Sequence, residues 1–217
     1  MKLSHMNNSY LGSRTLILSL LIISFGVLTW FVMHESVKPF ELAVYSVLSR
    51  FNSPEVTNVM VIITNLGSTT AIVMCNIVIL ALPLTRRIFG LSAATNSILT
   101  ALLNAVLKSI FARKRPNVNR LVTENGYGYP SGHTMSSTAL YTIILLTVFK
   151  FTKSNRIRMP VQVISIIPFF IGISRIYLGV HHAGDVLAGW IMGVAVALLV
   201  ETVYSILYGV TVHSLVE

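Results

Sequence analysis

Only one cysteine, Cys75, occurs in the 217 residues, inside an apolar run. That excludes an intramolecular disulfide and a cysteine metal cluster, so its expected role is packing. Charge is scarce too: 11% of the chain, with 7 acidic residues against 16 lysines and arginines. Glu35, Glu41, Glu55 and Glu124 are scattered, with no adjacent pair or histidine spacing suited to holding two metals. What fills the chain instead is apolar, 54% hydrophobic with a mean hydropathy of +0.76, too much for a soluble domain of this length. It reads as a membrane protein. A net charge of +9 would suggest nucleic acid in a soluble protein. Here the basic residues lie in short runs between apolar segments, so anionic lipid headgroups are the expected partners and nucleic acid is not.

The hydropathy pattern predicts an all-α fold, an integral membrane bundle of six transmembrane helices in one domain over 1–217. The helices are expected at about 14–34, 56–85, 88–110, 133–150, 160–174 and 184–208. The uncharged run 15–33 is long enough to span, and without a clear cleavage site after it is expected to stay as the first helix. Pro39 can open an interfacial amphipathic helix whose apolar face carries Phe40, Val44, Val47, Leu48 and Phe51, with an ordered loop as the alternative. The uncharged run 56–85 is too long for one upright span and is interrupted by Asn65, Gly67 and Ser68, so one long or broken helix crossing once is expected. Arg86 and Arg87 then read as a tight turn. Six crossings put the termini on one side and the loops at 113–132 and 174–184 together on the other. Setting the proposed site cations aside, Lys2, Arg14, Arg86, Arg87, Lys150, Lys153, Arg156 and Arg158 outnumber Lys38, Arg50, Arg113, Lys114 and Arg120. The termini are therefore expected in the cytoplasm and the loops outside the cell membrane.

Those two loops hold the reactive residues. In SRIYLGVHHAGD at 174–185, Asp185 follows His181 by one helical turn, so its carboxylate can hold the ring and steady its positive form. Arg175 offers a planar donor fork for an anion at that ring. In PSGH at 130–133, Ser131 can cap a helix, Gly132 allows close approach, and the first amides make an anion site. With Lys108 and Arg115 the set suits a tetrahedral oxyanion, phosphate being the common case. A metal-free covalent route follows: His181 attacks phosphorus and His133 protonates the departing oxygen, then deprotonates the water that releases phosphate.

KSIFARKRP at 108–116, PSGH at 130–133 and SRIYLGVHHAGD at 174–185 resemble the three signature motifs of the type 2 phosphatidic acid phosphatase superfamily. The resemblance implies that Lys108, Arg115, Ser131, Gly132 and Arg175 bind phosphate, that His133 is the acid, His181 the nucleophile and Asp185 its orienting partner; the scattered acids leave no metal or cofactor expected. Ala183 departs from the proline that many relatives carry there. The short loops are similar to the compact bacterial members that act on phosphatidylglycerophosphate or undecaprenyl pyrophosphate, with phosphatidic acid a further candidate. A lipid phosphotransferase of the same superfamily is the alternative, as is a small-anion or proton-coupled transporter, since His, Asp and Arg within spans also mark ion paths. Neither the natural lipid nor self-association is set by the sequence.

Neighbouring residues carry blander expectations. Lys108 alone would be a snorkelling anchor. His182 points away from His181. Arg113, Lys114 and Arg120 form a solvated face or attract headgroups, Tyr127, Tyr129 and Tyr177 are interfacial aromatics, and Ser174 braces Arg175 or His133. The expected orientation is testable with cysteines placed at Asn119 and Asn125 in a Cys75-free background. They should react with an impermeant thiol reagent from outside the cell; labelling from the cytoplasmic side alone would invert the topology.

Overall fold

The computed structural model describes residues 8–208; Lys2, used above in the charge bias, lies outside them. Helix α1 (Asn8–Met33) is followed by α2 (Lys38–Ser49), α3 (Pro54–Asn65), α4 (Thr69–Ala81) and one helical turn, α5 (Pro83–Thr85). Then come α6 (Leu91–Phe111), α7 (Gly132–Phe151), α8 (Asn155–Ile164), α9 (Ile167–Tyr177) and α10 (Ala183–Tyr208). No strand occurs among the described residues. α1, α6, α7, the α8–α9 stretch and α10 are each long and apolar enough to cross a membrane, and α3 with α4 makes a sixth crossing if the pair is one span.

That pair is the broken helix the sequence suggested, bent by 46°. Ser53 accepts a hydrogen bond from the Val56 amide with Pro54 at the first turn, and Ser68 accepts from Ala71. Each serine satisfies an amide that a helix start leaves open, so the chain stops and restarts where Asn65, Gly67 and Ser68 fall. At Arg86–Gly90 the backbone forms a π-helical turn leading into α6, not the tight turn expected there.

α10 packs along α7 and α1, and α6 along α7. Their shared core includes Ala93, Met135, Leu140, Ile143, Ala197 and Val200. Leu16, Leu20, Ile23 and Val27 of α1 are exposed, as suits a lipid-facing surface. Cys75 is exposed as well, which corrects its expected packing role. The apolar face of α2 divides: Val44 and Leu48 pack inward with Tyr45, while Phe40, Val47 and, just past the helix, Phe51 face out. Positions 41, 44, 45 and 48 follow helical spacing, so Glu41 falls on the inward stripe and is buried.

At the end of the bundle away from the reactive loops, Glu201 of α10 is 4% exposed and ties three helices together. Its carboxylate meets Arg14 of α1 at 3.2 Å and Lys150 of α7 at 3.2 Å, and accepts from Tyr10 and Ser205. Removing one member leaves buried charges unpaired, a loss of about 3–5 kcal/mol. Glu201→Ala should lower the thermal unfolding midpoint in detergent clearly and Glu201→Gln less; equal midpoints for wild type and both variants would show that the pairs contribute nothing.

Candidate active site

α6 ends at Ala112, whose left-handed backbone (φ 44°, ψ 30°) closes the helix and leaves Lys108 in the last turn, where a cation complements the helix dipole. The chain then crosses to the start of α7 through 112–131. This loop lies against the one after α9, with the Leu121 amide donating to the Leu178 carbonyl at 3.1 Å. The N-termini of α7 and α10 are joined too, the Ser131 amide donating to the Asp185 carbonyl at 2.9 Å. The three motifs thus meet at one end of the bundle.

Asp185 is wholly buried in the first turn of α10. Its Oδ2 lies 3.3 Å from His181 Nδ1 and accepts from the His182 amide at 2.9 Å. An ionised carboxylate only accepts, so Nδ1 carries the ring proton and Nε2 presents its lone pair. Nε2 faces Arg115 Nη1 at 3.2 Å. Burial, reinforced by Arg175 and Arg115 and outweighing the help from Asp185, holds the His181 pKa down to about 4. The imidazole is therefore neutral near pH 7, with a lone pair on Nε2.

Arg175, 2% exposed, donates from Nη1 to Thr64 Oγ1 at 3.0 Å and from Nη2 to Glu124. Among the described residues its buried Nε finds no hydrogen-bond partner. Glu124 also lies 3.6 Å from Arg115 Nη2, so one carboxylate sits between the two guanidiniums. Burial raises the Glu124 pKa, yet Arg175, with His133 and Arg115, brings it below the ordinary value. The His133 ring lies in electrostatic reach of Arg175, Glu124, His181 and Lys108. A Cβ built on Gly132 would stand 3.9 Å from Lys108 Nζ, which places that ammonium beside the open first turn of α7.

Several neighbours depart from expectation. Ser131 is buried and its hydroxyl accepts from Thr134 at 2.9 Å instead of capping α7, so the first amides of that helix stay uncapped by a side chain. Ser174 donates to the Ile171 carbonyl of its own helix, not to Arg175 or His133. Tyr129 and Tyr177 are core residues bonded to Thr29 and Thr57; only Tyr127 is exposed as an interfacial ring would be. Arg113 is not a solvated face: it pairs with Asp185 at 2.5 Å and Glu41 at 2.7 Å. Nor are the acids dispersed, since Glu41 and Glu124 both reach the site, each engaged by arginine. Sequence spacing held no sign of these pairings, although Arg113 stands within the first motif and Glu41 on the inward stripe of α2.

Residues 88–207 match the PAP2 superfamily. The chain is 38% identical over 102 residues to phosphatidylglycerophosphatase B of Bacillus subtilis (strain 168), covering 46% of this chain and 50% of that protein, so it spans half the length of that relative. It is 27% identical over 171 residues to an undecaprenyl-diphosphatase of Sulfolobus acidocaldarius, 76% of each chain. Among solved structures it is similar to the transmembrane PAP2 type phosphatidylglycerolphosphate phosphatase from Bacillus subtilis, with a TM-score of 0.79 and 28% identity over 88% of this chain and 96% of that one. Aquifex aeolicus LpxE, at 22% identity and a TM-score of 0.60 over 74% of this chain and 94% of that one, shares the fold.

Arg175 spans two acceptors with a rigid fork that lysine lacks. Each hydrogen bond to a charged group is worth about 1.5–3 kcal/mol, so Arg175→Lys should weaken binding of inorganic phosphate by roughly 10- to 100-fold. Unchanged phosphate affinity would reduce Arg175 to a point charge.

Proposed function

The chain belongs to the PAP2 superfamily, and on that premise we propose that it is a membrane lipid phosphatase acting through a phosphohistidine on His181. The substrate is a phosphomonoester or pyrophosphate headgroup, undecaprenyl pyrophosphate, phosphatidylglycerophosphate or phosphatidic acid. The observation that carries the reading is the His181 ring, held through Nδ1 by buried Asp185 with Nε2 turned to Arg115. A phosphate entering between Arg115 and Arg175 takes the place now held by the Glu124 carboxylate, and draws Arg115 from the nitrogen that attacks.

In the first step Nε2 bonds to phosphorus as the bond to the leaving oxygen breaks, and His133 gives that oxygen its proton. In the second, water attacks phosphorus, the N–P bond breaks, and His133 takes the proton back. Lys108, Arg115, Arg175 and the uncapped amides of α7 stabilise the charge on the transferring group in both steps, and no metal is invoked. Ser131, buried with its hydroxyl taken by Thr134, contributes through the backbone of this turn, and Gly132 through its closeness to Lys108. The charge bias of the loops supports a site on the outer face of the cell membrane with cytoplasmic termini.

Two measurements test the reading. Brief reaction with a ³²P-labelled lipid phosphate in EDTA should leave an acid-labile label on wild type and none on His181→Ala; a label restored only by magnesium would remove the metal-free route. General acid catalysis contributes about 100- to 10,000-fold, and an alkoxide needs it more than a phosphate leaving group does. In rapid-quench experiments, His133→Ala should therefore slow label formation far more with phosphatidylglycerophosphate than with undecaprenyl pyrophosphate. An equal loss on both would leave His133 as a phosphate ligand or a base for water.

A further inference from the structure

Behind Asp185 lies a second set of buried charges that the chemistry above does not use. Arg113 Nη1 donates to Asp185 Oδ1 at 2.5 Å and Nη2 to Glu41 Oε2 at 2.7 Å. The other Glu41 oxygen accepts from the Gly184 amide at 3.1 Å, and a Cβ on Gly184 would lie only 2.6 Å from it. The Glu41 side chain is 1% exposed, Asp185 0% and Arg113 14%. Asp185 is thus fixed at both oxygens, Oδ2 by His181 and the His182 amide and Oδ1 by Arg113. α2 closes the set from outside.

We propose that Arg113 and Glu41 are positioning residues for His181: Arg113 sets the rotation of the Asp185 carboxylate, and Glu41 restores the negative charge that Arg113 takes from it. The inference rests on His181 as the nucleophile. Asp185 with Arg113 alone is a neutral pair, poorly suited to steady the positive charge that grows on the ring as Nε2 bonds to phosphorus. With Glu41 the three groups carry a net charge of −1, which the imidazolium cancels. In a buried setting that difference is felt over several ångströms because water does not screen it. A motif cation expected only to face solvent or headgroups and an acid from the interfacial helix thereby act on the reaction without touching substrate. The other charged groups around the ring are Arg115 in the loop, Arg175 on α9 and His133 on α7. Lys108 on α6 and Glu124 in the loop act at longer range, and His182 lies 3.7 Å from Glu41.

The test compares the rate of label formation in Glu41→Gln and Arg113→Gln with wild type from pH 3 to 7, on one labelled lipid phosphate. Taking the ratio to wild type at each pH cancels the ionisation of the substrate. Both variants should label roughly 10- to 100-fold more slowly, the scale of one lost hydrogen bond to a charged group. Their acidic limbs should move in opposite directions. Loss of the Glu41 charge destabilises protonated His181, so that limb moves to lower pH; loss of the Arg113 charge does the reverse. Unmoved limbs, or shifts of one sign, would mean a structural brace and overturn the proposal whatever the loss of rate. If Glu41→Gln does not assemble, Arg113→Gln decides it: no shift to higher pH overturns the inference. A wild-type protein that never labels removes the phosphohistidine and this inference together, whereas labelled wild type with unmoved limbs removes this one alone.

Discussion

A carboxylate with no exposed surface persists only where donors surround it, and the reactive end of this bundle is built around the one at Asp185. Three groups donate to its side chain: the His181 ring, the His182 amide and Arg113. Its carbonyl accepts the Ser131 amide. A single residue therefore joins the loop after α9, the loop after α6 and the N-terminus of α7. Satisfying that one buried charge brings the three motifs together.

Charge alternation governs the rest of the site. Glu41, Arg113 and Asp185 form one alternating set, and Arg115, Glu124 and Arg175 another. The two differ in what they leave open. In the first every oxygen is engaged and the members are almost closed to solvent. In the second the acid is 26% exposed and belongs to a connecting loop. The same physics at the opposite end gives the Glu201 cluster, where the charges hold α1, α7 and α10 in place. Both ends of the bundle thus hold their helices through buried charge, and the motif end adds a more exposed acid.

The sequence alone determined the all-α membrane bundle, because lipid demands long apolar helices whose backbone satisfies itself. It also carried the break between α3 and α4, written in Ser68 and its neighbours, and the His181–Asp185 pair, since a carboxylate in the first turn of α10 can reach back to the residues just before the helix. The first motif, PSGH and the third motif were legible for the same reason: each is a short run whose chemistry lies in its own spacing. What only the tertiary structure decided were the partners. Arg113 meets Asp185 and Glu41 across sequence separations of 72 residues each, and Arg175 meets Glu124 across 51. No local period encodes such pairs. Taken singly, Arg113 resembles an exposed basic loop residue and Glu41 one polar position of an interfacial helix. Their roles arise only when α2 is laid across the start of α10 and the cost of burying each charge forces it to find the other.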